Sequence, residues 1–149
     1  MGAAARPAAP VARFASEAEA ARWNELVAAN PGGGEVWAGE EYLEAKRHGG
    51  YLPRRVMVDR PDRSTLAVGV LAKRVPLLGE WWHLPAGPPG EDLRAVFEAS
   101  AAVGVLARAH GAFMLKVEPR LGPEEAPAIR DAGFVPSVRI VPNPSTVLV

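Results

Sequence analysis

The chain has 149 residues, and 17 Lys+Arg against 17 Asp+Glu leave no formal net charge. With 48% apolar and 23% charged residues it has ordinary globular composition, enough for one domain with a real core, which excludes wholesale disorder. A neutral balance gives no long-range pull on phosphate, no run approaches the roughly 18 apolar residues of a spanning helix, and the lack of cysteine excludes disulfides, thiolate metal sites and cysteine nucleophiles.

Residues 1–13 are Ala/Pro-rich without an apolar signal region, and they are expected to form a disordered tail. The domain proper is then 14–149, and the missing targeting signal points to cytoplasm. Ser16 followed by Glu19 has capping-box spacing, and the spacing predicts one helix over 17–29 with Ala20, Trp23, Leu26 and Val27 inward. Asn30 reads as its left-handed cap, followed by a flexible glycine loop at 32–34. A shorter helix is predicted over 39–47, with Tyr42, Leu43 and Ala45 as its apolar positions and Gly49-Gly50 as its stop.

A Val-rich run at 55–59, a Pro-Asp turn at 60–63 and a second run from Leu66 to Arg74 read as a hairpin. A third strand follows at 80–84, with Trp81 and Trp82 on opposite faces. The Pro/Gly loop at 85–89 ends it. A long helix over 91–110 has acidic residues at its start and Arg108 and His110 at its end, as the helix dipole favours. Then come an apolar strand at 112–118, a short helix at 123–132, and a last strand or pair of strands over 134–149, broken at Pro142-Asn143-Pro144.

The expected order is α-α-β-β-β-α-β-α-β, an α+β mixed sheet flanked by helices. His48, His83 and His110 are scattered without a metal-binding pair, so no metal and no cofactor are expected. There is no nucleophile elbow and no P-loop.

That order resembles the acetyltransferase-type (GNAT) fold. The pyrophosphate loop of its acetyl-CoA enzymes is matched only by the near misses at 108–113 and 130–135, neither at a helix N-terminus. Acetyl-CoA is therefore not the expected cofactor. A closer resemblance lies in five segments taken in order. EYLEAKRHG at 41–49 resembles an aromatic-x-x-x-Lys helix, and LAKRVPL at 71–77 a basic strand ending in an R-x-P step. HLPAGPP at 83–89 resembles an x-P-x-G-P loop, and FMLKVEP at 113–119 an F-x-K/R-x-D/E-P strand. GFVPS with IVPNPST at 133–146 resembles a G-F-x-x-S…I-Q-P-x-x-T end. Together they are similar to the FemABX family of peptidoglycan-bridge aminoacyltransferases, with Tyr42 where Trp is frequent and Val141 where Gln is common.

The resemblance implies one GNAT-like lobe of a two-lobed enzyme. Such an enzyme moves an aminoacyl group from aminoacyl-tRNA to the stem peptide of a precursor, lipid II or a UDP-linked muropeptide. It implies Glu118 as a catalytic carboxylate near the acceptor amine. Lys46, Arg47, Arg74 and Pro88 are the implied substrate-binding residues, Lys46 as a point charge for precursor phosphate. Any tRNA contact would fall mainly on the second lobe, and peripheral contact with the inner membrane face is implied. Lys46 and Arg47 equally fit a solvated helix end, and Lys73 and Arg74 an edge that discourages strand pairing. A GNAT-like binding domain without the reaction is the alternative reading, and an acyl-CoA N-acetyltransferase comes last.

Overall fold

The computed structural model describes residues 8–138 and Ile140. Five strands lie side by side in chain order. They are β1 (Val11–Phe14), β2 (Leu52–Asp59), β3 (Thr65–Val75), β4 (Gly79–Leu84) and β5 (Ala112–Val117). The first four are antiparallel neighbours, and β5 runs parallel to β4. Five α-helices complete the described chain: α1 (Glu17–Ala20), α2 (Trp23–Ala28), α3 (Glu40–Ala45), α4 (Leu93–Ala109) and α5 (Ala126–Asp131). The class is α+β with a mixed sheet, as expected.

Alternation along the strands sorts the core into two layers. Val56, Val58, Leu66, Val68, Val70, Ala72, Trp82 and Leu84 form one face and meet Ala99, Ala102, Val103 and Ala107 of α4. Met57, Ala67 and Leu71 face the other way, against Trp23 and Val27 of α2, Leu43 of α3 and Ala38 in the short 3-10 turn before α3. Each fully buried Leu or Val contributes about 2 kcal/mol of transfer free energy, so both layers hold the sheet. Asp92 starts α4 by accepting the Ala95 N–H at 2.8 Å.

Four expectations change. Composition assigned Val11 and Arg13 to a tail, but Val11–Phe14 is an edge strand in register with Val56–Asp59 of β2. Side chains explain it. Arg13 bonds Asp59 at 2.7 Å and Glu19 at 2.7 Å, and the Phe14 ring packs 4.8 Å from His110. The predicted single helix at 17–29 is two, because Arg22 leaves helical geometry at φ −121°, ψ 32°. The Ser16–Glu19 capping box pins the first turn, while the Trp23 indole N–H donates to the Ala38 carbonyl at 2.8 Å and pins the second. Asn30 is not left-handed. It is extended, and its buried side chain bonds the Ala67 carbonyl at 2.8 Å and the Ala67 N–H at 2.9 Å. Finally, residues 134–138 and Ile140 form no strand. The rest of the strand expected over 134–149, including Pro142-Asn143-Pro144, lies outside the described residues.

Candidate functional site

Because Trp82 and Leu84 point at α4, Trp81 and His83 point to the opposite face of β4. The parallel register sets His83 beside Lys116. Leu115 and Val117 pack toward α4, so Lys116 shares the His83 face. Glu118 follows directly after β5. Its N–H donates to the Gly87 carbonyl at 3.0 Å, which ties the 85–89 loop to this strand end.

Three ionisable groups therefore meet at the C-terminal ends of the parallel pair. Lys116 Nζ lies 3.3 Å and His83 Nε2 3.6 Å from Glu118 Oε1. His83 is 1% exposed and Lys116 8%. Burial pushes the imidazole down to about 4; Glu118 pulls it up, and the charges of Lys116 and Lys46 push it further down. His83 is thus neutral at pH 7, and its separation from Glu118 is not an ion pair. At 3.6 Å the contact also exceeds hydrogen-bond length, and Nε2 has no hydrogen-bond partner among the described residues. The chain itself covers the other two groups. Lys116 donates to the Val138 carbonyl, and Glu118 Oε1 accepts the Ile140 N–H at 2.7 Å.

An aromatic shelf extends from the cluster. Trp81 stacks on His83 at 6.1 Å, Tyr51 meets Trp81 edge-on at 6.3 Å, and Lys73 Nζ sits 5.0 Å from the Tyr51 ring centre. Lys46, at the end of α3, lies 4.9 Å over the Tyr42 ring. Such an arrangement can hold an anion against the ammonium groups and a polar group against the Glu118 carboxylate.

The residues expected from sequence fall into two groups. Glu118 is in the cluster, Lys46 acts electrostatically on it, and buried Pro88 follows a cis peptide bond in the loop attached to Glu118. Arg47 and Arg74 are not brought there. Arg47 forks onto Glu44 at the end of α3, with one bond of 3.2 Å. That pairing, with Arg55, holds the Glu44 carboxyl down at about 2. Arg74 shares the phase of Ala72 and Val70, so it points to the α4 side; it is 78% exposed and 3.9 Å from Glu80. Lys73 takes the opposite phase, on the face of Trp81 and His83. Sequence reasoning left His83 and Lys116 out of the site. Their signal was a polar residue in the middle of an apolar strand, on the phase opposite to Trp82 and Leu84. Among the described residues no group of three His, Cys, Asp or Glu is placed to hold a metal.

No family profile matches the chain, and no curated protein matches it. Solved structures do match. The crystal structure of FemX superposes with a TM-score of 0.59 at 20% identity, over 80% of this chain and 30% of FemX. The fold is FemABX-like. A Trypanosoma brucei acetyltransferase aligns at 11% identity and a TM-score of 0.48, over 87% of this chain and 95% of its own. The chain spans less than a third of the length of FemX.

Proposed function

We propose that this domain is the precursor-binding lobe of an aminoacyltransferase that acts on a peptidoglycan stem peptide. One observation carries the reading: the His83–Lys116–Glu118 cluster lies under the 85–89 loop, at the C-terminal ends of the parallel pair, in a FemABX-like fold. The reaction turns an ester into an amide. A neutral amine attacks the aminoacyl ester carbonyl, the C–N bond forms, and the ester C–O bond breaks. The amine's surplus proton leaves with the tRNA hydroxyl or passes to a nearby base. Glu118 is the carboxylate that orients the amine. Lys46 is the point charge for precursor phosphate, and Pro88 shapes the loop above both. Arg47 and Arg74, held by Glu44 and by the opposite face, take outer contacts at most.

The aminoacyl-tRNA is assigned mainly to a second lobe. A neutral lobe has little electrostatic attraction for tRNA. No helix among the described residues is long and apolar enough to cross a membrane. The enzyme is placed in the cytoplasm, with peripheral contact at the inner membrane face where lipid II is the acceptor.

A second reading is a GNAT-like binding domain without turnover. It is favoured by the hydrogen bonds that Lys116 and Glu118 already make to Val138 and Ile140. The first reading needs precursor binding, which calorimetric titration with a UDP-linked muropeptide measures. Lys46→Ala and Glu118→Gln are each expected to weaken binding about tenfold, the scale of one charge-assisted hydrogen bond. Unchanged affinity in both variants removes the site assignment.

A further inference from the structure

The sheet has a second opening, apart from the His83 cluster. β3 pairs with β4 only from Leu71 onward, where Leu71 faces His83. Continuing that register would set Pro85 against Gly69, and proline has no N–H to give. The 85–89 loop turns away instead, so β3 keeps a bare edge at Gly69.

The backbone groups on that edge can be assigned. The Arg55 carbonyl accepts the Ala15 N–H at 2.8 Å, on the β1 side. The facing pair Arg55–Gly69 is therefore not hydrogen-bonded across β2 and β3, and the Gly69 N–H and C=O face the opening. Two residues earlier the Asn30 amide covers the same edge by bonding both backbone groups of Ala67. At Gly69 no described side chain does so. A Cβ there would lie 2.8 Å from the Ala38 backbone, so the residue must stay small.

A narrow cleft, with room for little more than one water-sized group, follows this edge, lined by Asn30, Glu35, Ala38, Gly69, Pro85 and Gly87 among others. Glu35 is the one ionisable residue in the lining. Its side chain is 23% exposed and 2.6 Å from the Nε of Arg120, which is itself 60% exposed. Burial pushes the Glu35 carboxyl above its usual range, and Arg120 only partly offsets this. A half-buried carboxylate with one exposed partner gains from a second cation.

We propose that this cleft binds a primary ammonium, with Glu35 as its counter-charge and the Gly69 carbonyl as a second acceptor. An ammonium carries three donors and no acceptor, and it is compact enough for an opening that a planar guanidinium would fill poorly. The Glu118 N–H bond to the Gly87 carbonyl joins the cleft to the His83 cluster. Assigning the ammonium to the side-chain amine of the acceptor peptide rests on the reading above; the ammonium site itself does not.

The test is a titration of the full ¹⁵N-labelled chain, followed by NMR, with Nα-acetyl-lysine methylamide and with its Nε-acetylated counterpart. The amide signals of Glu35 and Gly69 should move with the free amine and stay still with the acetylated compound. Glu35→Gln should weaken binding about tenfold, while Arg120→Ala, which frees Glu35, should tighten it. Equal response to both compounds, or unchanged affinity in Glu35→Gln, overturns the proposal. Should Glu35→Gln fail to fold, weaker binding by Arg120→Ala overturns it equally. A chain that binds muropeptide but not the lysine compound removes this cleft and leaves the precursor reading standing. Binding of the lysine compound alone keeps the cleft and removes its assignment to the acceptor.

Discussion

At the scale of single residues, His83 makes stability depend on pH. Folding holds its imidazole at about 4 by burial, against about 6.5 in the unfolded chain. Between those values the unfolded state binds more protons. Stability is therefore full above about pH 6.5 and is lost as pH falls toward 4, by on the order of 3 kcal/mol. Glu19 and Glu44, held down at about 2 by their arginine partners, lose their contributions only at lower pH. Glu35, pushed up by burial, works the opposite way. Urea unfolding of wild type and His83→Gln from pH 7 to 4.5 separates these effects. The variant should lose most of the slope, and equal slopes would show that His83 is not the titrating group. Asn30 gives a second prediction. Asn30→Ala leaves both backbone groups of Ala67 buried without their partners. The expected loss is about 2–4 kcal/mol in urea unfolding; a loss below about 0.5 kcal/mol would mean that water replaces the amide.

At the scale of elements, the parallel pairing that builds the site begins at one glycine. Gly79 has φ +105°, and a Cβ there would lie 2.3 Å from the Gly111 carbonyl, which accepts the Glu80 N–H at 3.1 Å. Gly79→Ala adds backbone strain and a clash with backbone. It should cost more than about 2 kcal/mol, read as a lower midpoint in thermal unfolding, and a neutral result would mean that β5 does not start against β4 here. The hairpin of β2 and β3, α4 and β5 were legible because their apolar period is strong and their ends are punctuated by Pro, Gly or Asp. β1 was not, since Val11, Ala12 and Phe14 gain strand structure from β2, Trp82 and His110, contacts invisible in a four-residue run. Asn30 was misread for the same reason: an Asn before Pro-Gly looks like a cap, while its real partner is 37 residues away. In the site, the loop and Glu118 were visible as motif residues. Arg74 was misplaced because strand phase, which sends it to the α4 side, was not applied to the basic pair.

At the scale of the whole molecule, one neutral domain with a FemABX-like fold spans 30% of FemX. The 149 residues suffice for the fold, whereas the proposed transfer requires a second lobe for the aminoacyl-tRNA. Under the proposed function, the part of this domain is to bind the precursor at the ends of β4 and β5. The Trp81 indole reports on that place, since it stacks on His83 and its Nε1 is buried without a described partner. The most direct measurement is an NMR titration of the ¹⁵N-labelled chain with a UDP-linked muropeptide. The account predicts saturable shifts of the Trp81 indole N–H and of the Lys116 and Glu118 amides, weakened together by Lys46→Ala. Saturable binding that leaves those three signals unmoved would contradict it.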